Sequence, residues 1–186
     1  MNRPNLPGGA ELLDPEYILK DVLNLAYNAK VGDLGCGSMG FFTLEAAKLI
    51  GNKGQVYACD ILKDVLSSVE SKAKQEGLYN IKTVWTNLEI VGGTKIPSES
   101  LDYAFLHNTL FQNQKHLEML QEAHRLIKPG GRLLIIEWQT AGGPIGPDRE
   151  IRLAQPDVER MAEDVGFRKE KDFEAGQYHY GVIFVK

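Results

Sequence analysis

Three glycines at the spacing Gly35-x-Gly37-x-x-Gly40 follow the run Val31-Gly32-Asp33-Leu34. Lacking Cβ atoms, they let a strand turn sharply into a helix and let the backbone approach a ligand closely. Asp33 lies inside this motif, ahead of Gly35. A carboxylate there can reach a ligand's amino group, directly or through water, and would repel a pyrophosphate. Asp60 closes a second apolar run, Val56-Tyr57-Ala58-Cys59. It can accept hydrogen bonds from both hydroxyls of a ribose, or cap a helix starting near Leu62, and the two roles can coexist. His107, near the end of a later apolar run, can act as a general base. It can equally hydrogen-bond the backbone and wall a binding site. His179 sits between Tyr178 and Tyr180, where alternation sends it to the face opposite the two tyrosines. No cluster of His, Cys and carboxylate has metal-ligand spacing.

These residues need a frame. Residues 1–10 are rich in Pro and Gly and read as a loose arm. Asp14-Pro15 reads as an N-cap followed by Pro at the first helical position, opening a helix to about Tyr27. Strands are expected over 30–34, 55–61, 81–86, 101–108, 132–138, 167–173 and 180–186, with helices over 40–50, 62–76, 113–127 and 156–165. Lys128-Pro129-Gly130-Gly131 reads as a helix stop and turn, and 141–148 as a Gly/Pro loop. Alternating strands and helices predict an α/β fold, a Rossmann-like doubly wound and mostly parallel sheet with helices on both faces. The last two strands are too close in sequence for a parallel crossover, so they pair antiparallel or sit apart.

The 186 residues are read as one domain, 1–186, with 1–28 as arm and first helix. A net charge of −4 argues against a partner held by phosphate contacts, so no nucleic acid is expected. Two cysteines, Cys36 and Cys59, and the absence of an apolar leader or membrane-length run give a cytoplasmic expectation.

Asp33-Leu34-Gly35-Cys36-Gly37, Ala58-Cys59-Asp60, Ile96-Pro97-Ser98-Glu99-Ser100-Leu101-Asp102 and Leu126-Ile127-Lys128-Pro129-Gly130-Gly131-Arg132-Leu133 occur in this order. Together they resemble the class I S-adenosylmethionine-dependent methyltransferases of the ubiquinone/menaquinone-biosynthesis type, from about Gly8 to Lys186. The resemblance implies a seven-stranded sheet with the last strand antiparallel. It implies that Asp33, Gly35, Cys36 and Gly37 hold the amino-acid end of S-adenosylmethionine and that Asp60 holds its ribose. Ile61 and Leu62 would pack on the adenine, and Leu88 would offer a backbone N–H to the ring. Asn87 stands where the family commonly has Asp. Its side-chain oxygen can accept from the same adenine amino group, without the charge. His107 would border the sulfonium and the methyl group.

The implied activity is methyl transfer to an acceptor, with S-adenosylhomocysteine as product. The acceptor is a small molecule or a protein side chain. The run Leu106-His107-Asn108-Thr109-Leu110-Phe111 is not the Asn/Asp-Pro-Pro-Tyr sequence of enzymes that methylate exocyclic base amines or glutamine amides. Other readings are a protein-lysine methyltransferase whose acidic surface recruits a basic partner, a nicotinamide-dependent oxidoreductase, and a cofactor-binding subunit without catalysis. The first helix with Tyr17, and the loop Gln139 to Arg149 with Trp138 at its start, are the regions that could choose the acceptor. That loop reads as a lid or as a plain connector.

Overall fold

The computed structural model describes residues 12–141 and 145–186. The arm at 1–10 and the centre of the Gly/Pro loop, 142–144, lie outside the described residues. Asp14 caps the first helix by accepting the Tyr17 N–H at 3.0 Å, with Pro15 at the first position. This α1 (Pro15–Tyr17) passes into a π-helical turn, Ile18–Val22. The expected helix to Tyr27 is therefore too long. Asn24 and Asn28 take left-handed φ values of 56° and 62°, which end the helix and turn the chain into the sheet.

Seven strands follow: β1 (Lys30–Leu34), β2 (Gln55–Asp60), β3 (Ile81–Trp85), β4 (Leu101–His107), β5 (Ile127–Trp138), β6 (Arg168–Gly176) and β7 (His179–Val185). The helices between them are α2 (Phe41–Ile50), α3 (Lys63–Gln75), α4 (His116–Leu126) and α5 (Gln155–Asp164). One sheet forms in the order β3-β2-β1-β4-β5-β7-β6. Pairings are parallel except for β7, which runs antiparallel to both β5 and β6. Two turn residues join β6 to β7, so the closing pair is a hairpin with longer arms than the sequence suggests.

β5 starts at Ile127 rather than Arg132. Leu101 pairs with Ile127 and then Tyr103 with Arg132, so Lys128 to Gly131 bulge out of the ladder. Gly130 takes φ 78° there. Alternation divides the core between the two faces. Ala104, Leu106, Leu133 and Ile135 join α4 and α5, while Tyr103, Phe105, Leu134 and Ile136 join the π turn and α2.

Residues 86–100 connect β3 to β4 without a helix, although parallel crossovers usually contain one. Their polar backbone is satisfied from α4 instead. Buried Glu122 accepts N–H bonds from Gly92 and Thr94 at 2.6 and 3.2 Å. Arg125 pairs with Glu122 at 2.7 Å and donates to the Ile96 carbonyl and the Ser98 hydroxyl. Among the described residues no helix is long and apolar enough to cross a membrane.

Candidate functional site

β1 and β2 end side by side, and the chain turns into α2 through the three glycines. The N–H groups of Gly35 and Cys36 both donate to the Cys59 carbonyl, at 2.9 and 3.0 Å. Gly37 N–H points to Asp60 Oδ2 at 3.4 Å. Gly35 has φ 95°, and a Cβ there would stand 2.5 Å from Thr109 Cγ2. Gly37 has φ 64°, and a Cβ there would project into open space. The first glycine thus allows close packing, and the second leaves a cradle that a side chain would occupy.

Gly35, Gly37, Asp60, Ile61, Asn87 and Leu88, all singled out from the sequence, line one cavity of about 320 Å³. It opens at the carboxyl ends of the strands, beside the switch point between β1 and β4, where open α/β sheets bind ligands. Asp60 Oδ1 accepts the Leu62 N–H at 2.9 Å, which closes a turn ahead of α3 and does not cap it, since the N-cap is Leu62 and makes no side-chain cap bond. Trp85 Nε1 donates to the Ile61 carbonyl at 2.8 Å and fixes that turn. Ile61 and Leu62 stay exposed beside the cavity, as an adenine wall requires. Asn87 Oδ1 accepts the Glu89 N–H at 2.9 Å and keeps a second lone pair. The Leu88 side chain is buried in the core and anchors the backbone at the cavity's edge.

Asp33, Cys36 and His107 do not line that cavity. Cys36 is buried among Ala58, Leu66 and Val69, and burial pushes its thiol far up. Asp33 is wholly buried on the face covered by α2. Its two oxygens accept from the Thr43 hydroxyl at 2.5 Å and meet His107 Nε2 at 3.0 Å. The His107 ring stacks on Phe42 with centroids 4.4 Å apart, and its side chain is 14% exposed. Asp33 is thus the orienting partner of His107, a pairing that sequence separation concealed.

The cavity also contains residues the sequence reading missed. Thr86 brings a buried hydroxyl with no partner among the described residues. Thr109, Gln112 and Asn113 come from the turn after β4. Thr86 was adjacent to Asn87 and within reach of sequence reasoning. The others depend on how that turn packs. Asp60 and Glu89 are the charged groups of the lining, and it has no Lys, Arg or His among the described residues.

Farther along the strand ends, the Trp138 and His179 rings meet with centroids 4.0 Å apart, tilted by 41°. The Asn108 amide lies 3.1 Å from His179 Nε2. Burial, then the field of Arg152, pushes His179 down to about 4, so it is neutral near pH 7. Arg152 donates to the carbonyls of Gln139, Ile145 and Pro147 and lies 5.6 Å from the Trp138 ring. It ties together both described flanks of the loop at 139–149.

The doubly wound seven-stranded sheet with a carboxylate-lined cavity at its switch point is the arrangement that the resemblance to class I S-adenosylmethionine-dependent methyltransferases implies. Residues 16–145 match the ubiE/COQ5 methyltransferase family, and the chain belongs to that family. It is 31% identical over 121 residues to a demethylmenaquinone methyltransferase of Geobacillus stearothermophilus, covering 63% of this chain and 50% of that protein. It is 30% identical over 103 residues to the ubiquinone/menaquinone biosynthesis C-methyltransferase UbiE of Marinomonas sp. (strain MWYL1), covering 55% and 40%. The chain thus spans about half the length of the curated relatives it matches. A SAM dependent methyltransferase from Aquifex aeolicus has the same fold, with TM-score 0.87 and 30% identity over 96% of this chain and 93% of that one.

The methyl donor of this class is S-adenosylmethionine, and the donor set here fits it. Acceptor groups for ribose and amine are present at Asp60, Asn87 and Thr86, an apolar wall at Ile61 and Leu62, and the open cradle at Gly37. A pyrophosphate would face two carboxylates and no cation.

Proposed function

We propose that this chain methylates a small-molecule acceptor, a hydroxylated ring of the quinol kind, within a single methyltransferase domain working in the cytoplasm. The observation that carries the reading is the cavity at the switch point, acidic and without a cation in its lining. Cys36 and Cys59 are free thiols, in keeping with a reducing compartment. Gly35, Gly37, Asp60, Ile61, Asn87 and Leu88 hold the cofactor. Bound there, S-adenosylmethionine supplies an electrophilic methyl group.

The chain's own task is to position the acceptor and take its proton. Asp33 engages His107 Nε2, which leaves Nδ1 as the atom that accepts a proton from a ring hydroxyl. Asp33 and the Phe42 stack fix the ring's orientation, and the carboxylate stabilises the imidazolium once it forms. Thr43 holds Asp33 from the other side. Trp138 and the pinned loop flanks form the side of the site where an apolar acceptor rests.

Thermal unfolding with S-adenosylmethionine, S-adenosylhomocysteine and NAD in separate samples tests the reading. A ligand at about a hundred times its Kd adds about 2.7 kcal/mol, which raises the Tm by about 5–10 °C in a chain of this size. The sulfur ligands are expected to give that shift and NAD none. A shift with NAD alone would replace the methyltransferase reading by a dinucleotide site.

A further inference from the structure

Glu137, one residue from the end of β5, is fully buried. Its Oε1 accepts the N–H groups of Thr109 and Leu110 at 3.0 and 2.8 Å. These amides open the single turn Leu110–Gln112, from which Thr109, Gln112 and Asn113 reach the cavity wall. The turn is entered through Asn108, which takes a left-handed φ of 53°. It also has a tight fit, because Thr109 fills the space that a side chain at Gly35 would need. Without an external acceptor, two buried amides would be unpaired at the point where the cavity wall is set.

We propose that Glu137 is a positioning residue for the cofactor. Its carboxylate holds Thr109 and Leu110 by their amides, keeps Thr109 against Gly35 and thereby fixes the wall of the cavity. The inference rests on reading that cavity as the S-adenosylmethionine site.

A second feature gives the inference a distinctive signature. Burial pushes Glu137 up to about 7, against the N–H groups of Leu110, Phe111 and Thr109 and the field of His107. Its other oxygen, Oε2, is buried with no partner among the described residues. The titratable groups around it are His107 on β4 and Tyr180, its register partner on β7. The ionised carboxylate accepts amide hydrogen bonds more strongly than the protonated form. The turn is therefore held more firmly as pH rises through neutrality.

Glu137→Gln keeps an oxygen for both amides and never ionises. Glu137→Leu removes the acceptor. Calorimetric titration of the wild-type chain and both variants with S-adenosylhomocysteine, from about pH 6 to about pH 8, is the test. The Leu variant is expected to bind at least about tenfold more weakly, and the Gln variant within about threefold of wild type at the acidic end. Wild-type affinity should rise with pH relative to Glu137→Gln. Because the field of His107 acts on Glu137, both chains are also compared in a His107→Gln background, where that neighbour does not titrate. In the ligand-free proteins, the Thr109 and Leu110 amides should exchange slowly in wild type and Glu137→Gln and rapidly in Glu137→Leu.

A folded Glu137→Leu that binds like wild type overturns the inference while leaving the site reading intact. Equal weakening by Gln and Leu also overturns it. If Glu137→Leu does not fold, parallel pH profiles of wild type and Glu137→Gln overturn it. A wild-type chain that binds no S-adenosylhomocysteine overturns the site reading and this inference with it.

Discussion

His107 draws its proposed chemistry from its surroundings. An exposed imidazole is a mobile base. This one is held by a buried carboxylate at 3.0 Å and a stacked ring at 4.4 Å. Positioned proton transfer contributes about 10²–10⁴-fold to rate, so His107→Gln should lower turnover by about that factor. Calorimetry should show S-adenosylhomocysteine binding nearly unchanged, because His107 is outside the cavity lining. Loss of binding together with turnover would move His107 from the acceptor to the cofactor. Asp33 shows how position can be read while partners stay hidden. The sequence put a carboxylate beside the glycine loop, but its contacts are Thr43 and His107, ten and seventy-four residues away.

At the scale of elements, the connection between β3 and β4 is the most exacting piece. It has no regular structure of its own, and Glu122 and Arg125 on α4 act as its scaffold. Burial would raise the Glu122 carboxyl, but Arg125, the Thr94 hydroxyl and the N–H groups of Gly92 and Thr94 outweigh it and hold it at about 2. Arg125→Met leaves a buried carboxylate uncompensated and should cost about 3 kcal/mol. Urea unfolding at neutral pH measures this directly. A change within the error of the extrapolation would mean that Glu122 and the apolar contacts at Leu88 and Ile96 hold the connection without Arg125. Glu122 contributes stability that is present above its unfolded value of about 4.5 and lost as pH falls through about 2.

For the molecule as a whole, stability against pH is set by buried groups of opposing sign. His179 lies at about 4 in the folded chain, below its ordinary 6.5. Its contribution is present above 6.5 and is lost as pH falls toward 4. Glu137 lies at about 7, above its ordinary 4.5. Its contribution is full below 4.5 and is lost as pH rises through 7. Between these limits the two oppose each other. Replacing His179 by Gln should remove a slope of up to about 1.4 kcal/mol per pH unit and expose the opposite trend from Glu137. Urea midpoints for wild type and His179→Gln across that range check this. Parallel curves would show that His179 titrates alike in the folded and unfolded chains.

Patterns local in the chain determined most of the architecture. The strand and helix alternation, the glycine turn and Asp60 at a strand end were enough for a doubly wound sheet; the close-set final strands left an antiparallel pair or two strands apart, and the family resemblance supplied the antiparallel last strand. The patterns put Gly35, Gly37 and Asp60 at one edge, because strand ends in such a sheet converge there, and the family resemblance added Ile61, Asn87 and Leu88; all six line the one cavity. The early stop of the first helix escaped because Asn24 and Asn28 adopt left-handed backbone that apolar spacing does not signal. Lys128 to Gly131 read as a turn because glycine and proline look alike in a turn and in a bulge. Only the tertiary structure decided which groups meet across the sheet: Asp33 with His107, Glu137 with the Thr109 and Leu110 amides, Trp138 with His179. Those pairings follow from register and strand order, which bring together residues distant in the chain and bury their charges where solvent cannot screen them.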